Sequence, residues 1–220
     1  MKRRIITTGD GSKTIQIEDW DEHYHSKHGA IQEAYHVFIE NGLRLFKNTE
    51  VKLLEIGFGT GLNALITYYE AVELGLKTHY TAVEAYPISQ VEVDALNFCE
   101  QLQFLDCAAF FQKMHSASWE ATVKLSEDFT LCKQKKDFRE IEGRNLFNLI
   151  YYDAFGARVQ PELWTEEIFR IMHLSLQEKG VLVTYAAKGS VRRALQAVGF
   201  TVERLPGPPG KREMLRAIKD

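Results

Sequence analysis

The sequence predicts an α/β fold, a doubly wound and mostly parallel sheet closed by a C-terminal antiparallel strand. Three observations predict it. The apolar run Leu53-Leu54-Glu55-Ile56 enters a turn with three alternating glycines, Gly57, Gly59 and Gly61. Apolar runs of strand length then alternate with amphipathic stretches of helix length through the middle of the chain. At the end, residues 199–205 and 213–218 read as two strands joined by Pro206-Gly207-Pro208-Pro209-Gly210, and so direct a return makes antiparallel neighbours.

In chain order, residues 4–7 and 14–18 read as short strands and 31–45 as an amphipathic helix. Residues 1–50 are therefore expected to form a cap over the ligand site, and 51–220 the main domain. A strand over 51–56 leads through the glycine turn into a helix over 61–74. A strand over 79–84 and a helix over 88–97 complete a βαβ beginning. Further strands are expected at 110–113, 147–153 and 180–186, and a helix over 161–176, with Pro161 in its first turn. Residues 116–144 carry charges of both signs, Glu127, Asp128, Lys133, Lys135, Lys136, Asp137, Arg139 and Glu140 among them, and read as an exposed insertion.

Composition bounds the function classes. The 220 residues are 45% hydrophobic, enough for one full core. No apolar stretch is long enough to span a membrane, and no signal-peptide core follows Lys2-Arg3-Arg4, so a cytoplasmic protein is expected. Cys99, Cys107 and Cys132 include no C-x-x-C pair, and reduced, partly buried thiols are expected. His23, His25 and His28 match no helical ligand spacing, and no metal site is expected. Neither a P-loop nor a G-x-S-x-G turn occurs, which sets aside phosphoryl and acyl transfer.

The glycine turn carries the chemistry. Glycines permit the positive φ of a tight strand-to-helix turn and leave no Cβ to collide with a ligand lying on the backbone, while the amides of the new helix face that ligand. A dinucleotide site has G-x-G-x-x-G; this chain has G-x-G-x-G, the spacing of a methyltransferase loop. The expected cofactor is S-adenosyl-L-methionine (SAM), held by Glu55, Gly57, Phe58, Gly59, Thr60, Gly61 and Asn63. Glu84 ends the next strand, 23 positions past Gly61, where a carboxylate suits the hydroxyls of an adenosine ribose. Together with the terminal hairpin, this specifies a class I SAM-dependent methyltransferase, Rossmann-like, with an N-terminal cap.

A second centre is Tyr151-Tyr152-Asp153-Ala154-Phe155, where a strand ends in an acid at the carboxyl edge of the sheet, the edge at which open α/β sheets bind ligands. Asp153 is expected to hold the cofactor's amino group or to orient an acceptor amine. Phe155 and Trp164 are candidates for stacking on a planar acceptor. Net charge is −3, yet from Tyr185 onward eight basic residues face three acidic ones. That cluster supplies candidate phosphate contacts, Lys188, Arg192, Arg193, Lys211 and Arg212.

Four segments carry a family resemblance: Tyr24-His25-Ser26 with Gly29, Glu33 and His36-Val37-Phe38; Glu55 through Asn63; Asp153-Ala154-Phe155 with Pro161-Glu162-Leu163-Trp164-Thr165; and Ser190-Val191-Arg192-Arg193 through Gly199-Phe200 to Gly210-Lys211-Arg212-Glu213-Met214. Together they resemble the methyltransferase domain of the bacterial MnmC family, over nearly the whole chain. The resemblance implies methylation of the exocyclic amine of 5-aminomethyl-2-thiouridine at the tRNA wobble position, giving 5-methylaminomethyl-2-thiouridine. It implies a stand-alone form, without the FAD-dependent oxidase fused to longer members, and hence a functional link to a separate enzyme supplying the aminomethyl precursor. It also implies that Tyr24 and Ser26 line the cofactor, that His25 lies at the acceptor, and that Glu33 joins Asp153 in the catalytic site. Two departures are His25, where Phe is usual in the family, and the long charged segment before Asn148. The alternative reading is a small-molecule amine methyltransferase or aminopropyltransferase on the same fold.

Overall fold

The structure is a computed structural model and describes residues 2–220. Strands β1 (Arg3–Thr7), β2 (Lys13–Ile17) and β3 (Glu22–His23) form a small antiparallel sheet at the front. There follow α1 (Ala30–Ala34), β4 (Glu50–Ile56), α2 (Leu62–Glu73), β5 (Lys77–Val83), α3 (Gln90–Asp94), α4 (Phe98–Leu102) and α5 (Cys107–Ser116). The remainder comprises β6 (Thr122–Ser126), β7 (Phe129–Gln134), β8 (Phe147–Tyr152), α6 (Glu166–Ser175), β9 (Leu176–Thr184), α7 (Gly189–Ala197), β10 (Phe200–Pro206) and β11 (Glu213–Lys219).

Eight strands form the main sheet in the order β10-β11-β9-β8-β4-β5-β7-β6. β4 pairs in parallel with both β5 and β8, and β11 runs antiparallel between β9 and β10. The order turns back at β4, so the carboxyl ends of β4, β5 and β8 converge on one crevice, the topological switch point where such sheets bind ligands. β4 is buried on both faces, as a central parallel strand must be. One core packs α2, α5 and the front helix, including Val37, Phe38 and Leu43, on one face of the sheet. A second core packs α6 and α7 on the other face around Tyr152, Phe169 and Leu195.

The strand expected at 110–113 lies instead inside α5. Cys107, Phe110, Phe111 and Met114 are its buried residues, spaced i, i+3, i+4, i+7, which is a helical stripe. The exposed insertion expected over 116–144 contains the β6–β7 hairpin, and β7 extends the main sheet beside β5. Its alternation is strict: Phe129, Leu131 and Lys133 point inward. A lysine at an inward position breaks the apolar pattern, which is why the strand reads as solvated sequence.

Other elements differ in their limits. The helix expected over 31–45 is a short α-helix continued by a π-helix at Tyr35–Glu40 and a 3₁₀ turn at Leu43–Leu45. The segment 88–97 keeps a single short helix, α3, started by a Ser89–Glu92 capping box. The helix expected over 161–176 divides into a 3₁₀ turn at Pro161–Trp164 and α6, capped by Thr165.

The reduced-thiol expectation is corrected for two of the three cysteines. Cys99 and Cys107 form a disulfide, with Cα atoms 5.4 Å apart, and Cys132 is free. Gln103 and Asp106 adopt positive φ between α4 and α5 and fold the chain back between the two cysteines; no turn residue announces this in the sequence.

Phe129 is 2% exposed and meets the rings of Tyr68, Tyr80 and Phe110. Phe129→Ala should therefore cost about 3–5 kcal/mol, the range for an aromatic deleted from a packed core. Urea unfolding checks this, and a loss below about 1 kcal/mol would contradict the placement of β7 in the core.

Candidate active site

A cavity of about 470 Å³ opens at the carboxyl ends of β4, β5 and β8, within the usual range for a small-molecule site. Its floor is the glycine turn. Gly57, Gly59 and Gly61 have φ of +91°, +51° and +75°. A Cβ on Gly57 would lie 2.8 Å from the Asp153 carbonyl oxygen, and one on Gly59 would lie 3.0 Å from the Tyr24 ring. Only glycine satisfies both the backbone conformation and the space. The Gly57 and Phe58 amides both donate to the Val83 carbonyl, and the Asp153 amide donates to the Ile56 carbonyl, so three strand ends are tied together at the turn.

Glu84 sits where the sequence placed it, just past β5 on the cavity wall. Its two carboxylate oxygens accept the Gly59 amide at 3.0 Å and the Tyr86 amide at 2.8 Å. A carboxylate has four lone-pair sites, so capacity remains for ribose hydroxyls. Thr60 is held from beneath: its hydroxyl meets His25 Nε2 at 3.3 Å and its carbonyl meets His115 Nε2 at 3.1 Å. His25 Nδ1 in turn meets the Thr14 hydroxyl at 2.7 Å. Burial pushes the His25 and His115 imidazoles down to about 4, so both are neutral braces at neutral pH. His25, expected at the acceptor, touches the cavity but uses both nitrogens to fasten the loop to the front sheet.

The deepest chemistry is a carboxylate cluster. Asn63 Nδ2 donates to Glu55 Oε1 at 3.0 Å and to Asp153 Oδ2 at 2.9 Å, joining β4 to the end of β8. Glu55 is fully buried, and desolvation pushes its carboxyl well above the usual range. Asp153 is raised to about 7, by desolvation first and then by the Glu33 carboxylate, with the Asn63 hydrogen bond and Lys211 opposing. Glu33, from α1, accepts the Ser26 amide at 2.9 Å and pairs with the Lys211 ammonium. Asn63 Oδ1 is buried without a hydrogen-bond partner, and Asn63 lines the cavity, whereas Glu55, expected to hold the cofactor, lies behind it beside Tyr80 and does not line the cavity, so its expected place is corrected to support of Asn63. Unpaired buried acceptors are costly, and this set is suited to a cationic ligand.

Aromatic side chains form the outer wall. Phe155 meets Trp20 and Tyr24 edge-on, at centroid distances of 5.8 and 5.0 Å. Trp20 was not among the sequence candidates; no local pattern marks it, and the front sheet alone carries it to the cavity. Trp164 is 6% exposed, donates its indole N–H to the Phe155 carbonyl at 2.8 Å and does not line the cavity. It supports the loop from the core side, so its expected place in stacking is corrected to packing.

The basic candidates separate into two groups. Lys188, Arg192 and Arg193 occupy the start of α7, at the same edge of the sheet as the cavity, and Arg212 is exposed in the β10–β11 loop. Lys211, expected beside them as a phosphate contact, instead turns into the cavity, because the loop folds back through the Lys211 amide to the Pro208 carbonyl and the Gly207 amide to the Arg212 carbonyl. Lys133 was also missed as a site neighbour. Its Nζ donates to the His115 carbonyl at 2.6 Å and lies over the rings of Trp119 and Phe58, and burial lowers its ammonium to about 8.

A sheet in this order, with a glycine turn at the switch point and the Glu84, Asp153 and Glu33 carboxyl groups on the cavity wall, is that of a class I SAM-dependent methyltransferase. The glycine cradle, the unpaired Asn63 acceptor and the Asp153 and Glu33 carboxyl groups on the cavity wall fit SAM. The chain belongs to the S-adenosyl-L-methionine-dependent methyltransferase family whose model matches residues 92–220. It is similar to the tRNA 5-methylaminomethyl-2-thiouridine biosynthesis bifunctional protein MnmC of Pseudomonas syringae pv. syringae, 29% identical over 90% of this chain and 33% of that one. It is similar also to MnmC of Leptospira interrogans, 27% identical over 96% of this chain and 34% of the relative. The chain thus spans about one third of the length of these curated relatives. Among solved structures, MnmC2 from Aquifex aeolicus superposes with a TM-score of 0.80 and 25% identity, covering 98% of this chain and 69% of that one. Spermidine synthase from Thermotoga maritima, TM-score 0.54 and 15% identity, shares the fold.

Two expectations follow. Gly59→Ala places a Cβ against Tyr24 in a left-handed backbone and should weaken SAM binding at least tenfold by calorimetry, with the fold retained by circular dichroism. The second concerns Asp153, whose folded value of about 7 exceeds the unfolded value of 3.8. The folded state then binds the extra proton between those values, so stability falls as pH rises through that window, with a limiting slope of about 1.4 kcal/mol per unit, and levels off above it. Asp153→Asn removes this term and should melt higher than wild type at pH 8 by more than at pH 5. An equal difference at both pH values would contradict the assignment.

Proposed function

We propose that this enzyme N-methylates the 5-aminomethyl group of 5-aminomethyl-2-thiouridine at the tRNA wobble position, giving 5-methylaminomethyl-2-thiouridine. The observation that carries the reading is the pair of carboxyl groups, buried Glu33 and half-buried Asp153, at the inner end of an aromatic-walled cavity beside the glycine cradle. Carboxylates there suit an amine better than a hydroxyl or a ring carbon. The similarity to the MnmC relatives and to Aquifex MnmC2 supplies the identity of the amine.

Bound SAM supplies an electrophilic methyl group on a sulfonium. The chain's own residues supply position and a dry site, and proximity of this kind accounts for much of the acceleration in such transfers. Asp153 accepts a hydrogen bond from the acceptor amine and turns its lone pair inward. Held near 7, it also takes up a proton more readily than an ordinary carboxylate. Glu33 and Asn63 fix Asp153 from two sides, Glu33 as a repelling charge and Asn63 as a donor. Phe155, Tyr24 and Trp20 offer rings to a base drawn out of its stack. Lys188, Arg192, Arg193 and Arg212 are proposed to meet the anticodon-stem phosphates around the mouth. A cytoplasmic location follows from a tRNA substrate, and no helix among the described residues is long and apolar enough to cross a membrane.

The test is methyl incorporation from labelled SAM into tRNA of a strain lacking this methylation, followed by nucleoside mass analysis. A gain of one methyl on 5-aminomethyl-2-thiouridine is expected, and no incorporation despite SAM binding would overturn the reading. Charge reversal at Arg192 and Arg193 should weaken tRNA binding uniformly and flatten its dependence on salt by about 1 per lost phosphate contact. Unchanged affinity and salt slope would remove both from the interface.

A further inference from the structure

Lys211 holds an unusual position. Of the basic residues in the C-terminal cluster, Arg204 and Arg216 pair across β10 and β11 with Glu213 and Glu203, and Lys219 is fastened to Asn145, His173 and Leu176. Lys211 lines the cavity. Its ammonium pairs with Glu33, which is 7% exposed, and lies 3.9 Å from the centroid of the Tyr185 ring. Tyr185 is fixed by donating its hydroxyl to the Ala154 carbonyl at 2.8 Å, one residue from Asp153. A compact cation is thereby held next to the carboxylate proposed to receive an amine.

We propose that Lys211 is a charge-balancing positioning residue that makes the site bind the acceptor amine as the neutral free base, the form that can be methylated. This rests on the amine-acceptor reading above and adds to it how an aliphatic amine becomes nucleophilic at neutral pH. Two carboxylates facing an amine favour its ammonium form, which has no lone pair to offer. The neighbours decide whether that happens. From α1 the site receives Glu33 and from the end of β8 Asp153, while Glu55 of β4 lies behind Asn63, its carboxyl pushed well above the usual range by burial. From the end of β9 it receives Tyr185, neutral because burial raises its phenol well above the usual value. From the front segment come His25, neutral, and Glu22, which is paired to Arg158 at 2.9 Å, while His23, Lys27 and His28 line the outer cavity.

Above about pH 7, the Glu33 and Asp153 carboxylates are then matched by the Lys211 ammonium and by the single net positive charge of the cofactor. A neutral amine preserves that balance, whereas an ammonium would add an uncompensated charge in a desolvated site. With Lys211 removed the preference reverses, because the ammonium becomes the missing counter-ion. In the transfer itself the amine lone pair forms the N–C bond, and the S–C bond breaks with its electron pair remaining on sulfur. The resulting secondary ammonium releases one proton to solvent.

The experiment measures the affinity of an anticodon stem–loop carrying 5-aminomethyl-2-thiouridine, relative to the same stem–loop with 2-thiouridine, between pH 6 and 9, for protein loaded with sinefungin, a SAM analogue whose amine keeps the positive charge at the sulfonium position. Selection of the free base predicts that the wild-type preference rises with pH, by up to about tenfold per unit. Lys211→Met should lose or reverse that slope, and Lys211→Arg should keep it. The acid limb of kcat in Lys211→Met should move up by roughly one pH unit. Lys211→Gln is measured beside Lys211→Met, so that a folding defect in one does not decide the result. An unchanged slope in the charge-removing variants, or a loss confined to affinity for the SAM analogue with the slope intact, overturns the proposal while leaving the methylation reading in place. A wild-type protein that neither methylates the aminomethyl stem–loop nor prefers it at any pH overturns both.

Discussion

The hydrogen bonds from Asn63 to Glu55 and Asp153 are the constraint on which the rest of the site depends. They join the first turn of α2 to β4 before the glycine turn and to the end of the neighbouring strand β8, and they link a fully buried carboxyl group to a half-buried one on the cavity wall. Such an arrangement opposes stability, since a buried carboxylate without a counter-ion is penalised by desolvation and by its neighbours. The fold tolerates it because the surrounding elements are fixed: β4 is buried on both faces over its last four residues, and the Asp153 amide is bonded to the Ile56 carbonyl. What is unfavourable in the free protein is favourable once a cation lies against it. The site is therefore an incomplete electrostatic arrangement that a cationic cofactor would complete.

The front segment belongs to this logic as more than a cover. Tyr24 sits against Gly59, His25 ties Thr60 to the small sheet, and Glu33 adds its charge to Asp153. Residues Val37, Phe38 and Leu43 enter the same core as the sheet, which fixes the height of α1 above the site. The β10–β11 loop reaches the cavity from the opposite side, with His36 meeting the Pro206 carbonyl at 2.8 Å and Lys211 meeting Glu33. Segments from the two ends of the chain thus close one pocket whose centre comes from β4, β5 and β8.

Much of this was legible in the sequence because it is local. The glycine turn, the acid after β5 and the acid after β8 each announce themselves within a few residues, and the terminal hairpin is marked by its proline-glycine turn. Local signals also misled. The four residues 110–113 read as a strand because a short apolar run has no intrinsic period, and only the wider spacing of Cys107, Phe110, Phe111 and Met114 shows the helix. The hairpin β6–β7 was hidden by Lys133, whose inward direction is decided by the His115 carbonyl and two aromatic rings far along the chain. Charge alone placed Lys211 with the phosphate contacts, whereas its partner lies 178 positions earlier. The Cys99–Cys107 link and the position of Trp20 likewise depend on how the chain turns rather than on any residue pattern.

The central claim, that a buried carboxyl group is held at an abnormal ionisation so that a cation will complete it, is most directly tested by carbon-13 NMR titration of the aspartate carboxyls in the free protein and in the Asp153→Asn variant. The account predicts one aspartate signal titrating near 7, absent in the variant, and shifted to lower pH when SAM binds. If every aspartate titrated below about 5, with no signal moved by the cofactor, the site would be an ordinary solvated one and the account would be wrong.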